Sequence, residues 1–171
     1  MHISLRALRR AGLDRVWWLV SPGNPLKTRG PADLDRRLEV CRQITRHPKI
    51  VVSDLERHLG SPYTAHTLAF LSRRYPGVRF VWLMGADNLA QFHRWEKWRW
   101  IAETFPMVVF ARPGQQLSAG LSPAARTYAH LRRAPEAARL LGRDAGPGWS
   151  LLPGPMADIS STQLRQRGAW T

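Results

Sequence analysis

Short runs of uninterrupted apolar residues, each set off from the next by a stretch of helical periodicity, constrain this chain more than any other feature. Val16-Trp17-Trp18-Leu19-Val20, Ile50-Val51-Val52, Phe80-Val81-Trp82-Leu83-Met84 and Met107-Val108-Val109-Phe110 carry no polar residue at alternate positions. A strand of that kind has no face suited to water, so both faces must be covered. The intervening segments have helical spacing: 5–13, closed by Gly12; 33–46, with Leu34, Leu38, Cys41 and Ile44 on one face and Asp33 at the start; 64–75; and 86–102. Strands alternating with helices in this way predict an α/β domain with an open parallel sheet and helices on both faces. Trp149-Ser150-Leu151-Leu152 reads as a last short strand and 160–166 as a last helix. Between them, 115–147 turns to Ala, Arg, Gly and Pro, which predicts a variable surface excursion.

The 171 residues suit one domain with a single core, spanning 1–171, and 44% hydrophobic content excludes general disorder. No apolar run approaches the roughly 18 to 20 residues that cross a bilayer, and the start Met1-His2-Ile3-Ser4-Leu5-Arg6 lacks the apolar core of a signal peptide. A cytoplasmic location is expected. The single cysteine, Cys41, has no internal disulfide partner and reads as a helix residue rather than a nucleophile. Lys and Arg number 26 against 12 Asp and Glu, a formal charge of +14 that favours anionic partners, whether nucleic acid or phosphorylated metabolites. An arginine-rich coding bias would raise the charge equally well without any binding surface.

Ligands of an open parallel sheet bind beyond the carboxyl ends of its strands, where the topology reverses, and the chain's distinctive segments lie in such places. Near the C-terminus, Asp158-Ile159-Ser160-Ser161-Thr162-Gln163-Leu164-Arg165 sets hydroxyls at a helix start, where side-chain and backbone donors meet an anion. Arg165, one turn beyond Ser161, can fold back to the same group; plain capping is the alternative. Gly85-Ala86-Asp87-Asn88-Leu89 follows a strand, with Gly85 permitting close approach of a ligand and Asp87 serving either as acceptor for ribose hydroxyls or as a helix cap. Phe92-His93-Arg94-Trp95-Glu96-Lys97-Trp98 comes next. Trp98 and Trp100 read as core aromatics, and Arg94 and Lys97 as a solvated face. Ser61-Pro62-Tyr63-Thr64-Ala65-His66-Thr67 opens a helix, with Thr64 as candidate cap and neighbouring amides free to meet a carboxylate, and with His66 and Thr67 as ordinary helix surface. Ser21-Pro22-Gly23-Asn24-Pro25-Leu26-Lys27 follows a strand and carries a lysine, Lys27, that either meets a phosphate or is simply solvated.

Ile-Ser-Ser-Thr-x-x-Arg resembles the C-terminal signature of nucleotidyltransferases that adenylylate small phosphorylated substrates. Gly-x-Asp followed by a tryptophan, and Tyr-Thr-x-x-Thr, resemble segments of the nicotinate-nucleotide adenylyltransferases in particular. The matches run in the family's order along most of the chain. The resemblance implies a Rossmann-like nucleotidyltransferase fold and transfer of AMP from ATP to nicotinate mononucleotide, with Mg2+ arriving on the ATP and no metal held by protein ligands. It implies ATP binding by Gly85, Asp87, Ser160, Ser161, Thr162 and Arg165, and substrate binding by Tyr63, Thr64, Trp95 and Lys27, with Trp95 stacked on the pyridine ring. Lys27 and Arg165 would stabilise phosphate charge. Leu26 departs from the family's usual histidine before that lysine. The family also opens with a strand and a Gly-Gly-x-Phe-x-Pro-x-His-x-Gly-His motif, whereas this sequence begins at Met1-His2-Ile3-Ser4, like the helix after it. A first strand and the catalytic histidines are therefore expected to be missing, His2 being no replacement, and activity weak or absent. The rival class is a nonenzymatic nucleic-acid-binding domain that uses the charge and some of the eight tryptophans. A nucleotidyltransferase acting on phosphopantetheine or nicotinamide mononucleotide is a second alternative, which the Tyr-Thr and Gly-x-Asp segments oppose.

Overall fold

The computed structural model describes residues 1–23, 33–111, 116–144 and 146–154. Helix α1 (His2–Arg10) leads to strand β1 (Val16–Leu19), and α2 (Leu34–Ile44) to β2 (Ile50–Ser53). Helices α3 (Leu55–Leu59) and α4 (Thr64–Arg74) precede β3 (Trp82–Gly85). Next come α5 (Ala86–Gln91), a 3-10 turn (Phe92–Arg94), α6 (Trp98–Thr104) and β4 (Met107–Ala111). Helices α7 (Gln116–Gly120) and α8 (Pro123–Thr127), 3-10 segments flanking β5 (Arg132–Arg133), and β6 (Trp149–Pro153) complete the described chain.

All strand pairs are parallel, as the uninterrupted apolar runs require. The ladders form two hydrogen-bonded sets: β1 with β2, and β3-β4-β6-β5 in that order. Strand β4 shows why the sequence lacks alternation. Met107, Val109 and Ala111 enter one core together with Leu68, Leu89, Phe92, Ile101 and Trp149, beneath α4 to α8. Val108 and Phe110 enter another, with Ala7, Ala11 and Val16, beneath α1. Helix α1 joins the two sets of strands, because its core also gathers Trp18 from β1 and Leu83 from β3. The Trp18 indole N–H donates to the buried Ser4 hydroxyl at 2.7 Å, which satisfies the polar atoms of that contact.

Several boundaries match their local signals. Asp33 caps α2 by accepting the Arg36 amide at 3.0 Å, and Gly12 follows α1 at φ +62, a left-handed turn that a side chain would strain. Other expectations need correction. Ile44, placed with Leu38 on an apolar face, is exposed. Thr64 is the first helical residue of α4, and Tyr63 occupies the cap position. The single helical region over 86–102 is broken between the 3-10 turn and α6, where Lys97 adopts φ +51. The supposed surface excursion contributes Ala119, Ala124, Ala125 and Tyr128 to the larger core; small alanines carried too weak a periodicity to reveal it. Helix α3 had no amphipathic run long enough to announce it. The helix expected over 160–166 lies outside the described residues.

Phe92 is wholly buried at the junction of α5 and the 3-10 turn. Phe92→Ala is expected to lower stability by about 3–5 kcal/mol in urea-induced unfolding, from lost burial plus the cavity left behind. Trp100→Ala, at an exposed position, should cost less than about 1 kcal/mol.

Candidate functional site

A pocket of about 240 Å³ opens where β1, β2 and β3 end. Leu19, Ser21 and Gly23 supply its wall after β1, Glu56 enters from α3 after β2, and Trp82 and Asn88 enter from β3 and α5. The head of α4, Pro62 to Thr64, and the turn carrying Arg94, Trp95 and Glu96 close it. This is the position that an open parallel sheet prescribes for ligands.

The α4 wall is polarised. Tyr63 sits at the cap in extended conformation with no side-chain capping bond; the His66 amide turns back to the Tyr63 carbonyl at 3.0 Å, which leaves the Thr64 and Ala65 amides without an intrahelical acceptor, and the positive end of the helix lies at the pocket. Such a terminus receives an anion, a carboxylate included. The opposite wall is aromatic. Trp95 is half-buried and held edge-to-face by Phe92 at 5.3 Å and Trp82 at 6.4 Å between ring centroids. A planar ring carrying an acid group matches an indole on one side and open amides on the other.

One buried carboxyl belongs to the same pocket. Glu56 is 5% exposed, and its Oε1 accepts the Thr67 hydroxyl at 3.3 Å. Thr67, read from sequence as helix surface, is fully buried for this contact. Burial pushes the Glu56 carboxyl above its ordinary value of 4.5, against the opposing pull of the Ser21 and Thr67 hydroxyls. Its Oε2, and the indole Nε1 of Trp82, lack hydrogen-bond partners among the described residues. Two polar atoms thus remain for a ligand or water in the wall of one pocket. Sequence reasoning missed Glu56, Trp82 and Asn88, and left Arg94 as solvated. Nothing local distinguishes Glu56 from a surface glutamate on a short helix.

Of the sequence-derived site residues, Tyr63, Thr64 and Trp95 meet in this pocket. Gly85 and Asp87 lie beside it at the β3–α5 junction. The Asp87 carboxylate folds back over Gly85 into the space that a side chain there would occupy, so a larger residue at 85 would displace that carboxylate. Asp87 is exposed in the first turn of α5, with Gly85 rather than Asp87 at the cap. Lys27, Ser160, Ser161, Thr162 and Arg165 lie outside the described residues. Trp98 packs on Phe92 and Tyr128 as expected, but Trp100 is exposed, edge-on to Phe105. Trp100 instead lines an open outer hollow of about 730 Å³ between α4 and α6, with Phe70, Arg73, Arg74 and Lys97 around it. Cys41 is half-buried in α2, and burial raises its thiol, which makes it a poor nucleophile. Among the described residues no group of three or more His, Cys, Asp or Glu could hold a metal ion, and no helix is long and apolar enough to cross a membrane.

Residues 1–167 match the family model described as cytidylyltransferase-like. The chain is 57% identical over 171 residues to a probable nicotinate-nucleotide adenylyltransferase of Ruegeria pomeroyi, covering 100% of this chain and 80% of the relative. It is 61% identical to one from Cereibacter sphaeroides, covering 99% and 90% respectively. Among solved structures it resembles Plasmodium falciparum nicotinic acid mononucleotide adenylyltransferase complexed with NaAD, at a TM-score of 0.64 and 15% identity, over 90% of this chain and 69% of that one. At that identity the likeness concerns the fold.

Glu56 supplies a pH-dependent test of the pocket. A carboxyl raised in the folded state contributes stability that is complete below its unfolded value and is lost as pH rises through the folded one. Glu56→Gln keeps an acceptor for Thr67 without the ionisation. Its melting temperature relative to the unsubstituted chain is expected to rise steadily from pH 4 to pH 8, by a few degrees; a constant difference across that range would contradict the assignment.

Proposed function

The chain belongs to the cytidylyltransferase-like family, among the nicotinate-nucleotide adenylyltransferases, and we propose that it transfers AMP from ATP to nicotinate mononucleotide, yielding nicotinate adenine dinucleotide and pyrophosphate in NAD biosynthesis. The observation that carries this reading is one pocket lined both by the head of α4, which has no side-chain cap, and by Trp95. The nicotinate carboxylate accepts from the first-turn amides and the Thr64 hydroxyl beside Tyr63, while the pyridine ring stacks on Trp95. An amide in place of the carboxylate loses the charge complementarity with the helix terminus, which favours the acid over nicotinamide mononucleotide.

In this reaction a phosphate oxygen of the mononucleotide attacks the α-phosphorus of ATP, the new P–O bond forms, and the bond to the β-phosphate breaks with pyrophosphate carrying away the electron pair. No protein nucleophile is needed, so positioning and charge neutralisation do the work. Gly85 and Asp87, at the end of β3 beside the pocket, are assigned to the ATP ribose by their match to the family's Gly-x-Asp segment. Ser160, Ser161, Thr162 and Arg165 are assigned to the ATP phosphates, and Lys27 to phosphate charge, by their match to the family's segments. ATP would arrive as its magnesium complex, and the cation would supply charge neutralisation to the phosphates; no residue is assigned to hold it. A cytoplasmic location is part of the same proposal, and the single cysteine, Cys41, suits a reducing compartment.

The test is product formation from ATP, Mg2+ and nicotinate mononucleotide, followed as pyrophosphate and dinucleotide, with slow turnover expected because the sequence contains no His-x-Gly-His motif. Trp95→Ala is expected to raise KM for nicotinate mononucleotide about tenfold, the scale of a lost aromatic stack, with KM for ATP within twofold. Equal effects on both substrates would remove the stacking role. Tight binding of single-stranded nucleic acid to the outer hollow, with no dinucleotide formed, would sink the enzymatic reading in favour of its rival.

A further inference from the structure

The turn at 95–97 has no local reason to hold its shape. It interrupts helical backbone, and Lys97 is the only non-glycine residue at positive φ among the described residues, a conformation that persists where surrounding contacts impose it. On one side the core anchors it: the Trp95 amide donates to the Phe92 carbonyl at 2.9 Å, and Trp98 packs into the larger core. On the other side the restraint comes from α4. Glu96 Oε1 lies 3.0 Å from His66 Nε2, and His66 Nδ1 lies 2.7 Å from Ser61 Oγ. Ser61 Oγ also accepts the Tyr63 amide at 3.3 Å, and the imidazole meets the Tyr63 ring edge-on at 5.7 Å.

We propose that Ser61, His66 and Glu96 form a latch behind the pocket wall, on the side of the outer hollow that His66 lines, that sets the spacing between the head of α4 and the Trp95 indole, which makes His66 a positioning residue for the pyridine nucleotide. The inference rests on the functional reading above. Both imidazole nitrogens are engaged, one by each wall. With its proton on Nε2 the neutral ring donates to Glu96 and accepts the Ser61 hydroxyl; when protonated, it donates to both. Either way the ring spans the two walls, and it touches Tyr63 and the neighbour of Trp95 rather than the ligand. The His66 and Glu96 side chains are 45% and 33% exposed, so their pairing adds little to global stability. What it restricts is geometry, and a stacking slot that widens by an ångström loses the fit to a flat ring. Sequence reading assigned His66 to ordinary helix surface, and its exposure is indeed that of a surface residue.

A double-mutant cycle on the full chain, read by calorimetric titration of nicotinate mononucleotide and, separately, of ATP, tests the latch. His66→Ala and Glu96→Ala are each expected to raise Kd for nicotinate mononucleotide about five- to tenfold, and the double variant no further, since one interaction is lost in all three. ATP affinity should stay within twofold, melting temperatures within a few degrees, and His66→Gln, which keeps a donor for Glu96, should recover most of the affinity. Additive losses, unchanged Kd, or equal losses for ATP would overturn the latch while leaving the functional reading intact. Failure of the unsubstituted chain to bind nicotinate mononucleotide would overturn both.

Discussion

In β4, five consecutive buried residues point alternately into two separate cores, and most of the architecture follows from that two-sided burial. A strand of this kind is stable only with paired strands along its edges and apolar layers above and below. Strands β3 and β6 supply the edges. Helices α4 to α8 supply one layer, and α1 with the 3-10 segment at Pro135–Leu140 the other. Helix α1 does more than cover: by gathering Trp18 of β1 and Leu83 of β3 into one core, it ties together two sets of strands that share no ladder.

Chemistry is confined to the strand ends by the same constraint. Backbone and side-chain polar groups have no place between the layers, so they collect where parallel strands stop and helices begin. There, among the described residues, the molecule departs from the satisfied interior: α4 begins without a side-chain cap, and one carboxyl oxygen of buried Glu56 and the Trp82 indole N–H have no partner. Each carries a cost in the empty protein that a ligand with matching donors and acceptors would recover.

A rigid floor and an adjustable brace divide the labour around this pocket. Trp95 is fixed from below by Phe92 and Trp82, which belong to the main core or pack against it. The brace, from Ser61 through His66 to Glu96, is made of partly exposed polar side chains. Packing decides where the indole is; hydrogen bonds decide how far the helix head stands from it.

Much of this was legible in the linear chain. The strands around Val16, Ile50, Leu83, Val108 and Leu151, the end of α1 at Gly12 and the cap at Asp33 followed from apolar continuity and capping chemistry, and resemblance to a family singled out Tyr63, Thr64 and Trp95 as candidates, which line one pocket. These are local properties, written in neighbouring residues. The break after Arg94 was not legible, because Trp95 to Trp98 suit a helix by composition and only the demand that Trp95 face the pocket while Trp98 faces the core twists Lys97 into a left-handed turn. Nor were the burial of Glu56 against Thr67 or the bridge from His66 to Glu96, thirty residues apart. The sequence by itself determined which segments are strands and helices and which layers they require, since one-sided and two-sided burial leave different periodicities. Only the tertiary structure decided which polar side chains meet, because that depends on the approach of elements far apart in the chain, to within the few ångströms over which a hydrogen bond forms.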